Sequence, residues 1–304
     1  MRFPLDFLFE KRLPLLNRFK RLTRIIGLLL LLGLLPACSA VKIFYNQSPD
    51  FAYWYLDGYL DFTGAQSLRV KSELGRLQAW HRQTQLPGYI DTLEKLKRQI
   101  PSDIDAATAC GVYADVRSKL ISVSDRAEPA ALAVVRTLNA SQLTQMERQF
   151  AKTNANYRED FLEGTTKERR DKRYQQAVRR AEMLYGTLDD KQLTVIGEQI
   201  DRSLFDAALA YAEKLRRQQD ALQTLRLLAK GQHSSGKAQA SLHDLFGRAF
   251  NSPDRAYLDY MDKLTRQGCR AFADLHNSTT PVQRSKAVET LDSYAQDFRT
   301  LSAQ

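Results

Sequence analysis

Apolar residues in this 304-residue chain return every third or fourth position along most of its length, between repeated helix-start signals. That period puts one apolar stripe on each segment's helical face, and no stretch shows the two-residue alternation of a half-buried strand. The starts are Ser48-Pro49-Asp50, Thr63-Gly64-Ala65-Gln66, Ser102, Ser252-Pro253-Asp254 and Thr280-Pro281-Val282-Gln283, with two near-copies, Leu138-Asn139-Ala140-Ser141-Gln142-Leu143 and Leu188-Asp189-Asp190-Lys191-Gln192-Leu193. In the near-copies the cap side chain accepts from the third helical amide, and the glutamine reaches back to the cap. The flanking leucines can close a hydrophobic staple. The pattern predicts an all-α fold, a multi-helix bundle of about ten helices.

Individual segments carry sharper expectations. The helix from Ser48 reads Phe51, Tyr53, Trp54, Tyr55, Leu56, Tyr59, Leu60 and Phe62, apolar nearly all round. Such a helix belongs at the centre of a core; an aromatic belt at a membrane interface is the alternative. A second helix runs from Thr63 through Val70, Leu74, Leu77 and His81 to a stop at Leu86-Pro87-Gly88. A third covers residues 89–100 before Pro101, a fourth opens at Ser102, and a short helix follows near 129–138. From Asp190 the stripe Ile196, Ile200, Leu204, Tyr211 and Leu215 predicts one helix to about Lys230, the longest element and a spine. Gly231 to Gln239 is polar and reads as a loop.

The N-terminus has a different character. Met1 to Arg24 carry seven basic and two acidic residues, and Ile25 to Leu35 hold only Ile, Leu and Gly. A basic stretch, a short apolar core and a small-residue exit are the layout of a secretory signal. Eleven apolar residues rise only about 16 Å as a helix, roughly half the hydrocarbon core, which disfavours a membrane-spanning helix. Without residues 1–37 the net charge falls from +10 to +5, so most of the apparent case for nucleic-acid binding disappears.

The ending Leu35-Pro36-Ala37-Cys38 resembles the lipobox of bacterial lipoproteins. In that class the signal is cut before the cysteine and the cysteine is acylated. The resemblance implies a signal peptide at 1–37, a lipid anchor on Cys38, a short membrane-proximal link at 38–48 and one α-helical domain at 49–304. Even fully extended, a link of about ten residues reaches only about 35 Å.

With Cys38 acylated, Cys110 and Cys269 remain. In an oxidising compartment they can pair as a disulfide, or pack as two separate buried thiols.

Candidate chemistry is sparse. The histidines His81, His233, His243 and His276 form no metal-ligand spacing, and neither a phosphate loop nor a nucleophile elbow is present. No metal or other cofactor is expected. Trp80-His81-Arg82 is the best candidate for a functional cluster, set against a helix-end histidine bonded to a backbone carbonyl. Lys167, Arg169, Arg170, Lys172, Arg173, Arg179 and Arg180 form a basic strip that could meet anionic lipid, lipopolysaccharide or an acidic partner. The same residues also suit a solvated helix laced with i,i+4 ion pairs.

Several pieces together resemble a family of uncharacterised bacterial lipoproteins with a domain of unknown function. They are the lipobox, Phe44-Tyr45-Asn46, Trp54-Tyr55-Leu56-Asp57, Thr63 to Gln66, Trp80-His81-Arg82 and Leu86-Pro87-Gly88-Tyr89, within about residues 38–100. The resemblance implies fold and location but no activity. The Leu-x-x-x-Gln starts also resemble the LTxxQ motif of small periplasmic chaperones, with Asn139 and Asp189 in the threonine position. The expectation is a lipid-anchored, periplasm-facing envelope protein in the outer membrane, since Ser39 follows the cysteine. Its role is expected to be non-catalytic: binding, scaffolding or envelope maintenance. Its expected partners are the membrane, through acylated Cys38, and envelope proteins or anionic envelope components. An envelope-polymer hydrolase and a periplasmic chaperone are the alternatives.

Overall fold

The computed structural model describes residues 40–232 and 234–304, so the predicted signal peptide, Cys38 and His233 lie outside the described residues. Among those described, the chain forms twelve α-helices and no strand. They are α1 (Ala40–Asn46), α2 (Ser48–Leu60), α3 (Gly64–Trp80), α4 (Leu86–Gln99), α5 (Ala106–Val135), α6 (Ala140–Phe161), α7 (Thr166–Tyr185), α8 (Asp190–Asp201), α9 (Ala207–Ala229), α10 (Ser235–Phe250), α11 (Arg255–Asn277) and α12 (Pro281–Ser302). No helix among the described residues is long and apolar enough to cross a membrane.

The capping chemistry accounts for where most helices begin. Full capping boxes open α3 (Thr63 with Gln66), α6 (Asn139 with Gln142), α8 (Asp189 with Gln192) and α12 (Thr280 with Gln283). A fifth, Thr165 with Glu168, opens α7. Beyond its local task, each glutamine of the first four meets another. Gln66 and Gln142 exchange amide hydrogen bonds of 3.3 and 2.7 Å, and Gln192 and Gln283 exchange bonds of 2.6 and 2.8 Å. Their remaining hydrogens go to carbonyls of the chain: Thr137 for Gln66, Leu60 and Asp61 for Gln142, Ser278 for Gln192 and Thr187 for Gln283. Four helix starts far apart in sequence are thereby locked two by two.

Several predicted boundaries move. The helix does not stop at Leu86-Pro87-Gly88: α3 passes into α4 through a π-turn, His81–Gln85. Pro87 has no N–H to continue an α ladder. The chain widens just ahead of it: the Leu86 N–H reaches the His81 carbonyl, and the Thr84 hydroxyl donates to the Trp80 carbonyl at 2.8 Å. Asp105, not Ser102, caps α5, which absorbs the short helix expected near Pro129 and becomes the longest element. The predicted spine from Asp190 to Lys230 is instead two helices, because Asp206 caps a new start at α9. The polar loop after Gly231 is short, since α10 begins at Ser235. Within the predicted link, residues 40–46 are helical.

Two core clusters result. One joins α5, α6, α9 and α10 through Leu132, Val135, Leu143, Leu225, Leu228 and Leu242. The other joins α4, α7, α8, α11 and α12 through residues such as Ile100, Tyr185, Ile196, Leu275, Ala287 and Leu291. The N-terminal half of α5 lies along α11, where Cys110 and Cys269 form a disulfide with Cα atoms 5.3 Å apart. Asn46–Gln304 is one compact unit containing both clusters and the disulfide, and thus has what an independently folding domain needs.

Candidate functional site

The helix expected at the centre of the core lies at its edge. No residue of α2 is buried; Trp54 is 77% exposed, Tyr55 61% and Phe51 49%. α2 packs through one side only. Tyr53 donates to Ser67 at 3.0 Å, and the Tyr59 ring meets Phe150 edge-on at 5.7 Å. An all-round apolar sequence does not choose a face, and here two neighbours, α3 and α6, cover only the Tyr53 and Tyr59 side.

Between α2, α3 and α5 runs an apolar groove of about 290 Å³. The wall from α3 is Val70, Leu74 and Leu77, at helical spacing; α2 adds Leu56 and Leu60. Opposite them α5 presents Ala127, Ala130 and Ala131, with Val134 and Val135 at the floor. The groove exists because small side chains on α5 face larger ones on α3, leaving unfilled width between helices that otherwise touch. Pro129 stands in the same wall and removes the N–H that would bond the Asp125 carbonyl.

Charge is confined to the rim. Arg76 pairs with Glu73 at 2.6 Å. Arg126 stands over the Trp80 ring at 5.8 Å and has no ion-pair partner among the described residues. The predicted cluster Trp80-His81-Arg82 does not line the groove; Trp80 touches only its rim residue Arg126. The His81 ring packs against Trp80 (6.4 Å) and Tyr89 (5.4 Å), and burial lowers its pKa. Arg82 turns away to donate to the Asn46 side chain at 2.8 Å. The residue that sequence reasoning missed is Arg126; the signal was a cation beside an alanine-rich helical stripe.

The basic strip on α7 is largely tied to acids and carbonyls. Lys167 pairs with Asp171 at 2.7 Å, Lys172 with Asp160 at 3.6 Å, and Arg170 grips Asp201 with two bonds of 2.5 and 2.8 Å. Arg169 donates to the Leu162 and Gly164 carbonyls, and Arg173 lies over the Phe205 ring at 5.1 Å. Arg179 and Arg180 are exposed. The acids on Lys167 and Arg170 raise their pKa values.

The remaining described histidines have structural partners. His276 is fully buried between the Tyr185 hydroxyl and the Ser102 carbonyl, each at 2.9 Å. A carbonyl only accepts, so Nε2 carries the proton and Tyr185 donates to Nδ1; burial holds this neutral ring's pKa below the ordinary value. His243 pairs with buried Glu128 at 2.9 Å, which raises its pKa. No group of three or more His, Cys, Asp or Glu side chains suited to a metal is present among the described residues.

One protein-family model matches residues 58–250, which span the π-turn, most of the groove and the first core cluster. No curated protein and no solved structure matches the chain.

Proposed function

The chain belongs to DUF6279, a family of unknown function, and from that premise we propose that it is an envelope lipoprotein with a non-catalytic binding or scaffolding role. In this proposal Cys38 is acylated, the protein is held at the outer membrane facing the periplasm, and α2 lies against the bilayer surface. The observation that carries it is the exposed face of Phe51, Trp54 and Tyr55, which begins a short link after the lipobox-like cysteine. Aromatic rings with one polar edge favour the membrane interface, and a second contact reinforces an acyl anchor. The hydrolase alternative draws nothing from His81, whose ring is packed against Trp80 and Tyr89. The chaperone alternative draws nothing from the Leu-x-x-x-Gln starts, whose glutamines are occupied with capping and with each other.

Envelope fractionation of cells making Cys38→Ala tests the anchor. The expected result is loss of the protein from outer membranes, either into the soluble fraction or uncleaved in the inner membrane. Normal outer-membrane retention of the variant would refute it.

A further inference from the structure

We propose that the groove between α2, α3 and α5 is a binding site for a free fatty acid, with the alkyl chain between the helices and the carboxylate on Arg126. Three observations converge on that class. Away from Glu73, Arg76 and Arg126 at its rim, the groove is lined by aliphatic side chains and Phe62, so it offers an alkyl chain contact along its length and offers a polar ligand little there. Its volume of about 290 Å³ lies at the small end of ligand pockets, which suits one narrow chain rather than a ring system or a two-chain lipid. The charge at its mouth suits a monoanion: Arg126 has no ion-pair partner among the described residues, while Glu73 and Arg76 at the same rim neutralise each other. The Trp80 ring lies 5.8 Å from the Arg126 guanidinium carbon, and no hydrogen bond among the described residues takes the guanidinium N–H groups, which leaves them for a carboxylate.

The groove is also placed to receive such a ligand. Leu56 lines it from α2, the helix whose outward face carries Phe51, Trp54 and Tyr55. If that face meets the bilayer, an alkyl chain can pass from lipid into the groove without crossing water. Only this route rests on the membrane reading; the site itself does not.

The test uses the unit Asn46–Gln304, secreted without Cys38 so that anchoring plays no part, and a fluorescent conjugated-polyene fatty acid, a linear chain without rings, as probe, displaced by laurate. The unvaried protein is expected to bind the probe, with decanoate displacing it about fifteenfold less well than laurate, since each methylene is worth about fourfold. Ala130→Phe, which fills the groove, should abolish binding. Arg126→Glu, at the surface and not needed for folding, should weaken it at least about tenfold, while Arg126→Lys keeps most of it. Lauryl alcohol, with the same chain and no charge, should compete poorly.

Probe binding that ignores both Ala130→Phe and Arg126→Glu overturns the site, as does failure of laurate to displace the probe. Displacement by a lysophospholipid at lower concentration than laurate overturns the choice of carboxylate ligand. Self-association removed by Ala130→Phe, without laurate binding, assigns the groove to a second copy instead.

Discussion

Replacing Gln192 by leucine tests whether the interlocked caps hold the bundle together. The side chain is fully buried, and leucine nearly matches its volume, so packing changes little. What changes is hydrogen bonding. Gln192 accepts from the Asp189 N–H at 3.0 Å and donates to the Ser278 carbonyl at 3.2 Å, and each loses this partner. Gln283 loses one donor and one acceptor but keeps the Thr187 carbonyl and the Thr280 N–H. Both bonds are only half-buried, so each deprived backbone group costs about 1 kcal/mol, offset in part by the more apolar side chain, which leaves about 1–2 kcal/mol. The assay is urea unfolding of Asn46–Gln304, with fluorescence and circular dichroism required to coincide. In the double variant with Gln283→Leu the two apolar chains meet, so the pair should depart from additivity by about 1 kcal/mol or more. A single-variant cost under about 0.5 kcal/mol, with additive behaviour in the cycle, refutes the interlock as a stabilising device.

Removing the disulfide by Cys110→Ser with Cys269→Ser should lower stability by up to about 5 kcal/mol in the chain-entropy model, because it closes a loop spanning 159 positions. Equal urea midpoints with and without reductant would contradict this. The two partnered histidines should show pKa values displaced in opposite directions from the ordinary value in ring-proton NMR, His243 upward and His276 downward. The His243 pKa is raised by Glu128, so its contribution to stability is complete below about pH 6.5 and is lost as pH rises through the higher folded value. The His276 pKa is lowered by burial, so its contribution is complete above about pH 6.5 and is lost as pH falls toward the lower folded value. Ordinary titration of both rings in the folded protein would remove the basis for each claim.

Local chemistry was legible in the sequence and non-local chemistry was not. Thr63, Asn139, Asp189 and Thr280 announce their helices because a cap needs only its own next three residues. That Gln66 would find Gln142, and Gln192 Gln283, depends on contacts 76 and 91 positions away. Pro87 and Pro129 misled for one physical reason: a proline removes a single hydrogen bond, and the chain absorbs each loss within a helical run, by a π-turn before Pro87 and inside α5 at Pro129. Tyr53 and Trp54 are equally apolar in pattern, yet one is turned inward and the other out, because only partner helices decide which side of α2 is covered. The groove was invisible for the same reason. Alanines at 127, 130 and 131 read as good helix formers, and their smallness matters only opposite Val70, Leu74 and Leu77.

The pairing of α4 with α12 has a kinetic consequence. These helices pack along each other, and the ion pairs Lys97–Asp292 and Arg299–Glu94 pin them together across nearly two hundred positions of sequence. Contacts of such high order form late, after most of the chain's loop-closure entropy has been lost. A chain delivered N-terminus first can wind α4 at once, but Leu93, Leu96 and Ile100 stay uncovered until the last helix arrives. Truncation ahead of Pro281 therefore strips Ala287 and Leu291 from the second core cluster and leaves a sticky intermediate. The C-terminal helix works as a latch, and the lifetime of the open state is set by how fast that latch is delivered.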